Sequence, residues 1–172
     1  MLESNSNKCT FHSYGAFYDA IFASLLFKVG KPLRVLEIGV SYFGEGSGHA
    51  FSKMPYVGKF VGVDVRQITG EFGGKGVFVQ GNAYHTPIIE AVSKHGPFHL
   101  IIDDGDHNPR SQRIFLELYP PLACPVSAVI CEDVMKHDIP LILSALQDET
   151  ICAVHFGDAL SQANNMLVKM NG

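Results

Sequence analysis

The stretch VLEIGVSYFG, residues 35–44, brings a short continuous apolar run up against a glycine, and FVGVDV, residues 60–65, repeats the form with an acidic residue near its end. Outward from these two, brief runs of the same kind recur at residues 77–80 (VFVQ), 99–102 (HLII), 128–131 (AVIC), 151–156 (ICAVHF) and 166–170 (MLVKM), and the first run itself starts at Arg34. Each is continuous rather than alternating and is bounded by Gly, Pro, Asn or Asp, the pattern of a strand buried on both faces. Helical spacing fills residues 16–29, 48–54, 87–95, 109–118 and 139–147. Asn108 is placed to cap the fourth of these, with Pro109 at its first turn, where a proline loses no hydrogen bond.

Strand and helix therefore alternate. The alternation predicts an α/β fold: a doubly wound, mostly parallel seven-stranded sheet, Rossmann-like, with right-handed crossovers and a ligand crevice beyond the carboxyl ends of the strands. Between the last two strands lie only residues 157–165, fewer than the dozen or so a parallel crossover needs, so the chain is expected to end in a C-terminal antiparallel hairpin strand. Residues 67–76 carry Gly70, Gly73, Gly74 and Gly76, so the crossover after the second strand is expected to be a loop or a broken helix.

The chain has 172 residues, 47% of them hydrophobic and 17% charged, which suits one compact domain over residues 1–172, with residues 1–14 as an arm or lid. Thirteen Lys and Arg against 17 Asp and Glu give a net charge of -4, without the basic stripe that a phosphate backbone requires, so nucleic acid is a disfavoured partner. The apolar stretch Ile21 to Phe27 is far shorter than the roughly 20 residues of a membrane span. Residues 1–10 lack the basic and apolar regions of a secretory signal, so a cytoplasmic protein is expected. Cys9, Cys124, Cys131 and Cys152 form no C-x-x-C pair and read as free thiols rather than a disulfide framework or a zinc site.

Gly39 allows a sharp turn and a close backbone approach, and Asp64, at the end of the next strand, stands where a carboxylate grips the ribose hydroxyls of an adenosine ligand. Ser41 occupies the place of the second glycine of a dinucleotide fingerprint, which disfavours a nicotinamide-dependent oxidoreductase. Glu37 would repel a diphosphate but suits a ligand carrying an ammonium or sulfonium charge. Asp103, Asp104 and Asp106 crowd the end of the fourth strand and Glu132 with Asp133 end the fifth. Neighbouring strands would bring these five carboxylates together, and a hard ion such as Mg²⁺ is their natural neutraliser, with His107 placed to accept a proton from a hydroxyl. The same DDGDHNP is also good turn chemistry at a strand exit. Of the other histidines, His12 and His85 lie beside segments expected near a cofactor, and Tyr42 and Tyr84 are secondary candidates for stacking on it.

Through VLEIG at residues 35–39, VGVD at 61–64, GNA at 81–83 and NNMLVKM at 164–170, the sequence resembles the class I S-adenosylmethionine-dependent methyltransferases over nearly its whole length. IIDDGDH at 101–107 and CEDV at 131–134 make it most similar to the metal-dependent macrolide-sugar O-methyltransferases and the related cephalosporin-hydroxylase-like group. The resemblance implies that Glu37, Gly39 and Ser41 lie at the methionine end of S-adenosylmethionine, that Asp64 holds the ribose, and that Asn82 and Ala83 lie near the adenine. Asp103 joins this cofactor-binding set, and Tyr14, in the leading helix, covers the cofactor. It further implies that Asp104, Glu132 and Asp133 bind Mg²⁺ and that His107, with Asp104, carries the catalysis. The expected function is Mg-assisted O-methyl transfer to a hydroxyl of a small molecule, a sugar or natural product. The alternatives are a viral-type RNA cap 2′-O-methyltransferase and an acceptor-independent protein that binds or degrades S-adenosylmethionine. The chain departs from the group in its bulky Tyr42 and Phe43 and in having few residues for a lid. The acceptor site is therefore expected to be open, built from the first 20 residues, or completed by a second subunit of a homo-oligomer.

Overall fold

Where helices cover both sides of a parallel sheet, successive residues of each strand must feed two different cores. Val35, Leu100, Ile102, Ala128 and Ile130 enter one core, while Leu36, Ile101, Val129 and Cys131 enter the other. The structure, a computed structural model, describes residues 14–40, 47–67, 73–156 and 164–172. In chain order its elements are α1 (Gly15–Val29), β1 (Leu33–Ile38), α2 (Ser47–Lys53), β2 (Val57–Asp64), β3 (Gly76–Gln80), α3 (Thr86–Ser93), β4 (Phe98–Asp103), α4 (Pro109–Leu118), β5 (Ala123–Cys131), α5 (Ile139–Leu146), β6 (Ile151–His155) and β7 (Asn165–Asn171). Helix α4 starts as its sequence dictates: the Asn108 side chain accepts from the Ser111 amide at 3.0 Å, and Pro109 occupies the first turn.

The sheet has seven strands in the order β3-β2-β1-β4-β5-β7-β6. Strands β1 to β5 pair in parallel, and β7 runs antiparallel to both of its neighbours. The expected doubly wound, mostly parallel sheet with its C-terminal antiparallel strand is therefore present. That strand does not lie at the edge of the sheet: β7 inserts between β5 and β6. Of the glycine-rich crossover after β2, only the single turn Gly73–Lys75 falls among described residues with regular structure. Cys124 and Cys131 are buried free thiols and Cys152 is an exposed one, while Cys9 lies outside the described residues.

Two features position the site. The chain leaves β1 toward β2 and β3 and then returns to β4 on the other side of β1, so a crevice opens where the strand order reverses. The strand ends there are level: Ile38 pairs with Val63 and with Asp103, and Asp103 pairs with Cys131. Hydrogen bonds from Gly39 N to Val63 O (2.8 Å), Asp104 N to Ile38 O (3.0 Å) and Glu132 N to Asp103 O (2.9 Å) carry the ladder one residue further. Gly39, Asp64, Asp104 and Glu132 thus stand in one row.

The antiparallel end is tied by a charge. Asp148, just before β6, accepts from Lys169 of β7 and from the backbone and hydroxyl of Thr150, and these bonds, that of Lys169 foremost, hold its carboxyl down to about 2. Such a depressed carboxyl contributes stability above its unfolded value near 3.9 and loses it as pH falls through about 2. Asp148→Asn is expected to cost about 0.5–1 kcal/mol at pH 7, with the gap from the parent closing as pH falls from about 4 to about 2, read from urea unfolding curves across that range.

Candidate active site

The row of strand ends opens onto one cavity of about 550 Å³, walled on one side by Asp64, Asn82 and Ala83 and on the other by Asp104, His107 and Asp133. Ligand pockets commonly span about 300–1,000 Å³. At the first side, Gly39 takes φ +82°, and a Cβ there would stand 2.0 Å from the carbonyl oxygen of Asp104. Only glycine fits, because the exits of β1 and β4 touch backbone to backbone. Asp64 is almost fully buried, and its Oδ1 accepts from the amide of Arg66 at 2.8 Å, which fixes the carboxylate at the cavity wall. The loop after β3 is held by an Asx turn, with Tyr84 N donating to Asn82 Oδ1 at 3.0 Å, and by Tyr119 Oη donating to Ala83 O at 2.8 Å.

At the second side, one ligand atom each from Asp104, His107 and Asp133 lie within 4.8 Å of one another. His107 Nε2 is 3.3 Å from Asp104 Oδ1, and its Nδ1 is 3.8 Å from Asp133 Oδ2. Hydrogen bonding to Asp104, reinforced by the charges of Asp104, Asp133 and Asp103, lifts the imidazole to about 9 against the opposing effect of burial. Asp133 has left-handed backbone, φ +51°, a strained conformation that an aspartate tolerates better than most residues. Its surroundings hold it there: Val134 N donates to Asn165 O at 3.0 Å, Asn165 Nδ2 donates to Val134 O at 2.8 Å, and Tyr14 Oη donates to Asp133 Oδ1 at 2.7 Å. The inserted strand β7 thereby braces the acidic turn.

Asp103 lies beneath this turn, where burial pushes its carboxyl up to about 7 although bonds from Tyr84 and the Gly105 amide oppose the rise. Tyr84 Oη donates to Asp103 Oδ1 at 2.7 Å and accepts from Asp106 N at 2.9 Å, and burial followed by the charge of Asp103 raises the phenol well above its ordinary value. A Cβ on Gly105 would stand 2.6 Å from that hydroxyl.

The sequence-predicted residues separate into two groups. Gly39, Asp64, Asn82, Ala83, Asp104, His107 and Asp133 line the shared cavity. Glu37, Glu132, Asp103 and Tyr14 are buried and are not among the lining residues. Glu37 accepts from Ser47 at the start of α2, and Glu132 accepts from Tyr18 of α1. The pleat sets the side on which Glu132 lies: Ile130 and Glu132 face α1, while Cys131 faces away. Tyr14, expected to cover the cofactor, is fully buried with its ring against Phe156 and its hydroxyl on Asp133. Ser41, Tyr42 and His12 lie outside the described residues, and His85 is exposed ahead of α3 and does not line the cavity. The supporting hydroxyl of Tyr18, the Tyr84 bridge and the Gln112 Nε2 bond to Glu132 O (3.3 Å) were not readable in the sequence, since each spans distant segments.

The two carboxylates Asp104 and Asp133 suit a hard divalent ion, which favours oxygen donors, and the His107 imidazole stands beside them. The cavity, with a buried carboxylate at Asp64 and a close backbone turn at Gly39, suits a nucleoside.

No protein-family model matches the chain. The chain is 31% identical over 116 residues to the 8-demethyl-8-(2-methoxy-alpha-L-rhamnosyl)-tetracenomycin-C 3'-O-methyltransferase of Streptomyces olivaceus, a match covering 63% of this chain and 29% of that protein. It is similar in fold to the MycE methyltransferase from the mycinamycin biosynthetic pathway, solved in complex with Mg, SAH and mycinamycin VI, with a TM-score of 0.70, 20% identity, and coverage of 94% of this chain and 50% of that one. It is also similar to the O-methyltransferase from Bacillus cereus solved in complex with SAH, with a TM-score of 0.62, 14% identity, and coverage of 90% of this chain and 81% of that one. The chain thus spans less than a third of the curated relative and half of MycE. Its fold is that of the S-adenosylmethionine-dependent methyltransferases, as the motif resemblance implied.

The geometry at residue 39 leads to a direct test. Gly39→Ala combines a left-handed backbone with a collision against backbone atoms, and is expected to cost about 3 kcal/mol or more, read as a lowered thermal midpoint.

Proposed function

We propose that the chain is a metal-dependent O-methyltransferase that uses S-adenosylmethionine to methylate a hydroxyl of a small molecule, a natural-product sugar in the first place. The observation that carries this reading is a single cavity that has Asp64, Asn82 and Ala83 on one wall and Asp104, His107 and Asp133 on the other. The likeness to a rhamnosyl-tetracenomycin 3'-O-methyltransferase and to MycE supports a sugar acceptor over an RNA cap or an acceptor-independent reaction. No described helix is long and apolar enough to cross a membrane, and the free thiols Cys124, Cys131 and Cys152 suit the reducing cytoplasm.

In this reading Asp64 accepts hydrogen bonds from the ribose hydroxyls, Asn82 and Ala83 lie along the adenine, Glu37 supplies negative charge toward the sulfonium end, and Asp103 supports the cofactor side from beneath through its bond with Tyr84. Asp104 and Asp133 hold the divalent ion, and Glu132 completes the acidic surroundings from the α1 side, where Tyr18 holds it. When bound, S-adenosylmethionine supplies an electrophilic methyl group, and the ion supplies the positive charge that acidifies the acceptor hydroxyl and offsets the carboxylate field on His107. With Nε2–H directed at Asp104, the Nδ1 of His107 accepts the hydroxyl proton. Tyr14 and Asn165 maintain the turn that aims Asp133 into the cavity.

The test uses the full chain with S-adenosylmethionine and rhamnosyl acceptors. Methyl transfer is expected to stop with EDTA and to return with excess Mg²⁺. His107→Gln is expected to lower kcat by about 10²–10⁴-fold while S-adenosylhomocysteine still binds by calorimetry. Transfer that persists without metal, or full activity in His107→Gln, would refute the proposal.

A further inference from the structure

Tyr84 belongs to the loop that walls the nucleoside side of the cavity, yet its hydroxyl acts on the other side. The loop itself is tightly determined. Tyr84 N donates to Asn82 Oδ1, His85 N donates to Asn82 O at 3.1 Å, and Ala83 O accepts from the buried Tyr119. From this base the phenol crosses to the exit of β4, where it donates to Asp103 Oδ1 and accepts from the backbone amide of Asp106. These two partners bracket Asp104 and Gly105 and stand next to His107. The Gly105 amide adds a third bond to the same carboxylate at 3.2 Å, and the absent side chain at Gly105 is what lets the hydroxyl come so near. Removing the hydroxyl would strip a partner from both the Asp103 carboxylate and the Asp106 amide while leaving the ring in place.

Resting on the reading of this cavity as a joint nucleoside and cation site, we propose that Tyr84 is a positioning residue that couples the two occupants. A nucleoside seated against residues 82–84 restricts their loop, and the Tyr84 hydroxyl passes that restriction to residues 103–107, which present Asp104 and His107. Ordering met by the first occupant is not met again by the second, so each raises the affinity of the other. The coupling is of the size one hydrogen bond supports, about three- to tenfold in affinity.

The experiment is calorimetric titration of Mn²⁺ into the full chain with and without saturating S-adenosylhomocysteine, for the parent and for Tyr84→Phe. In the parent the nucleoside is expected to tighten Mn²⁺ binding about three- to tenfold, and in Tyr84→Phe the two titrations are expected to coincide. The ratio is internal to each protein, so a general loss of stability does not imitate it. Equal Mn²⁺ affinities in the parent, or a preserved ratio in Tyr84→Phe, would overturn the proposal while leaving the enzyme reading intact. Absence of S-adenosylhomocysteine binding to the parent would overturn both. Independently of any variant, amide hydrogen exchange at Gly105 and Asp106 in the parent is expected to slow when S-adenosylhomocysteine is added without metal, and unchanged exchange there would also overturn the coupling.

Discussion

The exits of β1 and β4 touch backbone to backbone, and the rest of the site depends on that contact. A single carbon at residue 39 would come within 2.0 Å of the Asp104 carbonyl, so the two strands can sit level only because residue 39 has none. The level register then sets Asp64, Asp104 and Glu132 one step beyond the sheet, at the point where the strand order reverses. A cleft of the size and lining that suit a nucleoside and a cluster of acidic groups consequently share a single space.

The pleat decides what each acidic residue can do. Consecutive residues at a strand end face opposite cores, so Glu132 turns toward α1 and meets Tyr18, whereas Cys131 points toward Asp103. Asp133 escapes the alternation through its left-handed backbone, and two distant segments hold it there: Tyr14 from the start of α1 and Asn165 from the start of β7. The insertion of β7 between β5 and β6 is thus part of the site's construction as well as of the sheet's.

Tyrosine hydroxyls supply much of the local support. Tyr14, Tyr18 and Tyr84 each donate to a carboxylate of the acidic region. Burial and the adjacent negative charge raise all three phenols above their ordinary value, so they stand as protonated donors at neutral pH. Their apolar rings contribute to or pack against the two cores while their oxygens face the polar strand exits.

Local chemistry was legible in the sequence alone. Continuous apolar runs revealed the buried strands, the short final connection revealed the antiparallel strand, and Asn108 with Pro109 revealed the start of α4, because each rests on neighbouring residues and a fixed backbone period. Gly39, Asp64 and the DDGDH stretch marked the site for the same reason. Only the tertiary structure decided which groups converge, that β7 lies inside the sheet, and that the hydroxyls of Tyr14 and Tyr84 bond carboxylates of the acidic region. Those outcomes depend on strand order, pleat parity and one left-handed residue, which arise when segments far apart in the chain are packed together.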